Sequence, residues 1–491
     1  MVNSNLAYKQ VENTLEETIV DDAPIKWCTV SLSDVVSRGK RLEASVFDVD
    51  AKQARQQIEN AKYPLTTIGG KNGLAASYTC ARFKRVWVGQ SDLPIYQPST
   101  IVDIKPKPDG YISHNTQTNI DALRVKKGQI LLTCSGTIGK ASYVSSTLDN
   151  LIFSHDLLRI DCKSRCDQGY IYAFLKSKVG NKILVTSSYG AVITHIESEH
   201  LAETPIPNAP KDIKEKIHNL IVRSYELRDE SNDLIDEATQ LMIDELQLPP
   251  VNKFDVVNYK NDADVDNFSV KLSAMDGRVD ASYHLPIVAA ITEHLQKHAA
   301  EITTIGDNRI SKGIVLPGRF KRVYVAEGQG RVLIGGKQLF ELDPSNKKYL
   351  SRIKHGKRIS DQLEIEENST LISRSGTIGK VALVPKHWER WVASEHIIRV
   401  IPASNDIAGY LNIFLSSDYG YQLITRFTYG AVVDEIDDNH VSKIAIPLLK
   451  NKAVQDRINT LALDANKKRY EAYQLEQKAL KIMDEEVIYA Q

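Results

Sequence analysis

The chain is poor in the residues and arrangements that do chemistry by themselves. Its five cysteines (Cys28, Cys80, Cys134, Cys162, Cys166) are odd in number and scattered. That excludes a disulfide framework and suits free thiols in a reducing compartment. Cys162 and Cys166 have no second pair or histidine cluster nearby, so no zinc site is expected. No run of about 18 apolar residues occurs, which excludes a membrane-spanning helix. The opening MVNSNLAYKQVENTLEETIVDDAPI is polar and acidic, unlike a secretory leader, and a cytoplasmic location is expected. Lys and Arg total 62 against 62 Asp and Glu, so the chain does not coat nucleic acid through bulk charge. The FxGxG and [DNS]PP[YFW] motifs of amino-methyltransferases are missing. Asp109 has no nearby E-x-K that would make a nuclease site. No catalytic residue and no metal ligand is assigned.

What is present is a repeat. Residues 130–207 align with 370–447 at a constant offset, without a gap, and about 25 positions are identical. ILLTCSGTIGK answers TLISRSGTIGK, and SSYGAVITHIESEHLAETPIP answers FTYGAVVDEIDDNHVSKIAIP. CARFKRVWV (80–88) pairs with GRFKRVYV (318–325), and TVSLSDVVSRGKRLEAS (29–45) with SVKLSAMDGRVDAS (269–282). The period is too long for a solenoid unit and right for a whole domain with a connector. A tandem domain duplication, pseudo-twofold, is expected.

Charge follows the repeat. Residues 41–207 carry 20 basic and 15 acidic side chains, 278–447 carry 22 and 19, and 208–250 carry 5 and 10. Positive potential therefore sits on the repeated domains. After each block comes a heptad pattern. Leu220, Leu227, Leu234 and Leu241 recur every seven residues with Ile217, Ser224, Ser231 and Ala238 between them. Leu461, Leu475 and Ile482 recur likewise with Ile458, Ala465, Ala472 and Ala479, and Lys468 interrupts the larger row. Large residues on one seam row and small ones on the other predict two long helices in close, antiparallel contact. Within each domain, helices are expected near 51–62 and 169–185, and near 286–299 and 409–425, around β-rich stretches. The polar insertions 90–127 and 327–367 differ completely between copies, which gives one frame two different surfaces.

Two motifs point to phosphate. The RFKR segments are read as strand starts with Arg82 and Lys84 on one face and Phe83 and Arg85 on the other, echoed by Arg319, Lys321 and Arg322; a charge-protected edge strand is the structural alternative. SGTIGK is not a phosphate loop of nucleotide-binding proteins. Only two residues separate Gly136 from Gly139, and Ala141 follows Lys140 where Ser or Thr is needed. It remains a glycine turn with hydroxyls and a lysine, suited either to a DNA phosphate or to a tight hairpin.

Taken together, duplicated domains opening with RLEAS and RVDAS and containing RFKRVWV or RFKRVYV, SGTIGK, SYGAV or TYGAV and a closing IP before a long helix resemble the specificity (S) subunit of type I restriction-modification enzymes. The resemblance runs from about residue 27 to the end. It implies an α+β fold of two target recognition domains, 27–207 and 267–447, with conserved coiled-coil helices at 208–250 and 448–491, a linker at 251–266 and an extension at 1–26. It implies recognition of a bipartite, asymmetric double-stranded DNA target, without catalysis in this chain. Two methyltransferase (M) subunits and the restriction (R) subunits would be partners, with S-adenosylmethionine, ATP and Mg as their cofactors and none here. The expected DNA-contacting residues are Arg82, Lys84, Arg85, Ser135, Thr137, Lys140 and Tyr189 in the first domain. In the second they are Arg319, Lys321, Arg322, Arg374, Ser375, Thr377, Lys380 and Tyr429. Alternatives are an S-like subunit serving a fused methyltransferase-nuclease, or an enzyme with a site around SGTIGK.

Overall fold

The computed structural model describes residues 17–22, 25–37, 40, 42, 44–186, 188, 194–254, 259–260 and 266–490. The chain divides into two compact units. One holds 25–230, Glu341–Ser345 and 471–490, and the other holds 17–22, Ser231–Phe340 and Asn346–Tyr470. The division falls inside both long helices, so each unit contains one copy of the repeat and half of each helix.

Each copy is a mixed α/β domain with one topology. In the first, the antiparallel sheet runs Ala75–Tyr78, Leu157–Cys162, Ile130–Thr133, Ala141–Tyr143. In the second it runs Ser311–Val315, Ile397–Pro402, Thr370–Ser373, Val381–Leu383. Its central strands are buried on both faces, which is why ILLT and LLRI read as near-continuous apolar runs. A further pair, Leu65–Thr67 with Pro205–Pro207 and Glu301–Thr304 with Ala445–Leu448, closes each domain where the long helix leaves.

The insertions depart from the expectation. They are not unrelated loops, because both supply strands to a second sheet of the same order. That order is Trp87–Val88, Gly110–Ile112, Pro94–Tyr96, Ile152–Phe153 in one copy and Tyr324–Val325, Lys348–Leu350, Arg331–Ile334, Val392–Ala393 in the other. The divergence is in sequence and in the connecting loops, while the ladder is kept.

The helix expected at 169–185 is broken in two, Arg165–Lys176 and Lys178–Val185, and its counterpart is Asn405–Ser416 and Asp418–Thr425. Ser177 Oγ accepts from the Gly180 N–H at 3.0 Å and donates to the Phe174 carbonyl at 2.7 Å. Ser417 makes the same two bonds. The serine thus caps the second helix while ending the first.

The long helices are Lys211–Glu245 and Lys452–Ile482. In the first unit they run antiparallel, with Lys216 Nζ 2.8 Å from Glu486 and Ser224 Oγ donating to the Ala472 carbonyl at 2.7 Å. In the second unit Arg457 pairs with Glu237 at 2.8 Å, and Glu245 accepts from the Asn451 N–H at 3.3 Å. The closest seam is the small row: Ile217, Ser224, Ser231, Ala238, Ile458, Ala465, Ala472 and Ala479 have no exposed surface. Of the larger row, Leu227, Leu461 and Ile482 are buried, but Leu220, Leu234, Leu241 and Leu475 keep part of their surface in solvent. Each domain presses a glycine onto its helix. A Cβ at Gly169 would lie 2.5 Å from His218 Cα, and one at Gly409 would lie 2.3 Å from the Asn459 carbonyl oxygen.

Candidate nucleic-acid interface

The RFKR segments are not strands. Both are irregular, extended links between the two sheets of their domain. The alternation survives without a ladder. Arg82 and Lys84 are exposed, while Phe83 turns inward against the second sheet's apolar cluster. Arg319 and Lys321 are likewise exposed and Phe320 is tucked in.

The two copies differ in charge compensation. In the second domain Arg322 is held 2.7 Å from buried Glu395. Glu435 takes both Arg319, at 3.0 Å, and Arg374. In the first domain position 155, the counterpart of Glu395, is histidine. Arg85 lies over the Phe83 and Trp87 rings, and neither Arg82 nor Lys84 has an ion-pair partner among the described residues. Burial, opposed by Asp156, and then the charges of Arg85 and Arg82 hold the His155 pKa below its ordinary value. The first RFKR segment is therefore the more electropositive of the two.

The SGTIGK turns are closed hairpins. Gly136 and Gly139 have φ of 70° and 84°, and Gly376 and Gly379 have 74° and 80°, which only glycine adopts without strain. The N–H of Gly139 donates to Thr133 O at 3.0 Å, that of Lys140 to Thr133 Oγ1 at 3.0 Å, and that of Gly136 to Thr194 O at 3.2 Å. Gly379, Lys380 and Gly376 bond in the same way to Ser373 and Asp434. These three backbone donors in each copy are spent inside the protein, which fits the hairpin reading. Lys140 is also drawn inward: its Nζ sits 2.6 Å from Oε1 of buried Glu341. Lys380 lies over the Phe340 ring at 5.1 Å. Ser135 and Ser375 are half-buried and Thr137 and Thr377 exposed. Tyr429 is exposed and pairs through its backbone with Glu435. Tyr189 lies outside the described residues.

The sequence reading missed a basic element. Helix Arg352–Arg358, RIKHGKR, lies in the second insertion with Arg352, Lys354 and Lys357 exposed. It is braced on the RFKR link of its own domain. His355 Nε2 accepts from the Val323 N–H at 3.1 Å, its ring meets Phe320 edge-on at 5.2 Å, and Arg358 Nη1 donates to Gly318 O at 3.1 Å. Burial and then the Arg358 charge keep the His355 pKa below its ordinary value, so its ring nitrogen stays free to accept. The two-lysine, two-arginine composition of 352–358 was visible, but not its packing against RFKR. The acidic extension also docks here. Glu17 accepts from the N–H of Arg352 at 2.6 Å and of Ile353 at 3.1 Å, and Ile19 bridges Val325. Among the described residues no group of three or more His, Cys, Asp or Glu is placed to hold a metal, and no helix is long and apolar enough to cross a membrane. All five cysteines are free thiols.

Each domain thus offers exposed cations on a link and on an insertion, mounted on a shared frame. Residues 24–222, which span the first domain and the start of the central helix, match the model of the type I restriction modification DNA specificity domain. This stretch belongs to that family. Residues 370–447 align without a gap on 130–207, the later part of that stretch. The chain is also similar to solved structures. An S subunit of a type I restriction-modification system from M. genitalium is 13% identical, with 88% of this chain and 96% of that chain covered and a TM-score of 0.34. An HsdS subunit from Thermoanaerobacter tengcongensis is 13% identical, with 86% and 99% covered and a TM-score of 0.27. No curated protein matches.

Proposed function

We propose that the chain is the DNA sequence-specificity subunit of a type I restriction-modification system, a non-catalytic scaffold that works in the cytoplasm on double-stranded DNA. Its target is bipartite and asymmetric, each domain reading one half. One observation carries the reading: the same pair of sheets occurs twice, yet the insertions mounted on that frame differ in sequence between the copies. Phosphate contacts position a protein and base contacts specify, so unlike insertions on a like frame fit two unlike half-sites. Arg82, Lys84, Arg319, Lys321 and the helix Arg352–Arg358 are the phosphate-facing candidates. Lys140 is assigned to structure.

The partly exposed row Leu220, Leu234, Leu241 and Leu475 supports a further role for the long helices, as a platform for two adenine methyltransferase subunits, with restriction subunits joining the assembly. S-adenosylmethionine, ATP and Mg belong to those partners. The test is reconstitution. Purified chain alone is expected to methylate and cleave nothing, the methyltransferase alone to methylate without a defined target, and the two together to methylate adenines at one sequence. Turnover of nucleotide or DNA by the chain alone would replace this reading with an enzyme.

A further inference from the structure

The segment ahead of the first domain carries five acidic residues and one basic residue over 1–25, in a chain whose charges balance overall. Its end is laid along the second domain. Thr18 accepts from the Ala326 N–H at 2.9 Å, and its own N–H donates to Gln329 Oε1 at 2.6 Å. Ile19 bridges Val325 in the antiparallel sense, so the segment extends the second sheet at its outer strand, Tyr324–Val325. Glu17, which already accepts from two backbone N–H groups of helix Arg352–Arg358, also accepts from the Ser351 hydroxyl. The equivalent edge of the first domain is more open. Val88 is 38% exposed, against 2% for its counterpart Val325.

Covering a sheet edge calls for no net charge of one sign. Yet residues 17–22 hold three carboxylates, Glu17, Asp21 and Asp22, and no basic side chain, with Asp21 and Asp22 exposed. The domain beneath presents Lys321, Arg352, Lys354 and Lys357 to solvent, none with an ion-pair partner among the described residues. These belong to the cations assigned to DNA phosphates. Glu17 is bonded to the first turn of the helix that carries three of them, inside the roughly 10 Å over which charges still act in 0.1 M salt. Its reach is visible at His355, where burial and Arg358 lower the ring's pKa and Glu17 is the charge that opposes them.

Carboxylates and phosphates carry the same sign of charge and seek the same cations, so the extension and a duplex cannot both be fully accommodated on this face. We infer that the extension is an intramolecular competitor for duplex DNA: residues 17–22 keep the second domain's phosphate-facing surface partly neutralised, and a duplex displaces them on binding there. The inference rests on the proposed function, which supplies the DNA. The guard falls on one copy alone. The two half-sites are therefore engaged in order, the first domain binding unopposed and the second only as the strap leaves.

The experiment uses the full chain and a fluorescein-labelled duplex of mixed sequence, about 30 base pairs long, followed by anisotropy across salt. Glu17→Gln with Asp21→Asn and Asp22→Asn removes the charge of the strap. Thr18→Pro removes the N–H that anchors it to Gln329 and leaves the charge alone. Both variants should bind about three- to thirtyfold tighter than wild type, the range expected when up to three weak surface charge pairs are lifted. The gain should vanish when Arg352, Lys354 and Lys357 are also alanine, and persist with Arg82→Ala and Lys84→Ala. None of the substituted side chains lies in a core, so the variants are expected to unfold at the wild-type temperature. In the wild type, adding duplex should speed hydrogen exchange at the Ala326 amide, whose acceptor is Thr18. Unchanged or weaker binding in both variants would overturn the inference and leave the strap as an edge cover. Tighter binding in the charge variant alone would overturn it too, because the effect would not need a docked strap. A chain that binds no duplex in any variant, even at low salt, would overturn the proposed function itself.

Discussion

Glu476 gives the sharpest test of how the C-terminal helix is tied to the first domain. Its side chain is fully buried, with Oε2 2.8 Å from Arg228 of the central helix and Oε1 3.2 Å from Lys176 of the domain helix Arg165–Lys176. Tyr172 donates its hydroxyl to the same carboxylate, and the Arg228 guanidinium lies 4.2 Å over the Tyr225 ring. Three elements therefore converge on one carboxylate. Glu476→Gln keeps the shape and removes the charge, leaving Arg228 and Lys176 uncompensated in the interior. Breaking a buried pair from one side costs about 3–5 kcal/mol. With an m value of about 3 kcal/mol per M urea, the midpoint for unfolding of this unit should fall by about 1–1.7 M. Replacing all three together, Glu476→Leu with Arg228→Met and Lys176→Met, should recover most of that loss, because apolar groups of similar volume need no compensation. Urea unfolding followed by far-ultraviolet circular dichroism checks both. A Glu476→Gln midpoint within about 0.2 M of wild type, or a triple variant no better than the single one, would refute the reasoning.

The same residue sets an acid limit. Burial alone would raise its pKa, but Lys176 and Arg228 hold it at about 2, against an ordinary value of 4.5. A depressed acid contributes stability above its unfolded pKa, so that contribution should fade as pH drops from about 4.5 toward 2, and the loss should be absent in Glu476→Gln. Asp484 is the opposite case. Burial, aided by Glu485 and opposed by Lys178, raises it to about 6. It favours the fold at low pH and loses that as pH rises through 6, so Asp484→Asn should be more stabilising at pH 8 than at pH 4 in thermal melts. For DNA, Arg82→Ala with Lys84→Ala should weaken binding to all sequences and flatten the salt dependence by about 0.9 log unit per lost contact, measured by fluorescence anisotropy across salt. Lys140→Ala should leave that slope unchanged and instead lower the unfolding temperature, because buried Glu341 loses its partner. Gly409→Val, whose Cβ would sit 2.3 Å from a backbone oxygen of the long helix, should destabilise the second unit by about 3 kcal/mol in the same urea assay.

The frame was legible because most of the repeated identities are structural. Gly169 and Gly409 permit helix contact, Tyr170 and Tyr410 bond the carbonyls of Pro207 and Pro447, and Ser177 and Ser417 break a helix. The heptads showed the helix pair for the same reason, although the small row, rather than the leucines, makes the closest approach. The RFKR links were misread as strands because an extended chain with Phe inward and Lys or Arg outward has the period of a strand whether or not a ladder partner exists. The second sheet escaped notice because its strands are two to four residues long and half of them lie in insertions that do not align between copies. Ion pairs such as Lys140 with Glu341, or Arg319 and Arg374 with Glu435, join positions far apart in the chain. No local pattern announces them, so lysines and arginines engaged inside the protein looked the same in sequence as those left in solvent.

The central claim is that two domains read two unlike half-sites. Mapping methylated adenines genome-wide, with this chain present and with it deleted, tests that claim most directly. The prediction is a methylated motif that disappears on deletion and consists of two different short sequences separated by bases that do not matter, and exchanging residues 327–367 should change one half alone. A continuous motif, two identical halves, or methylation that persists without the chain would contradict it.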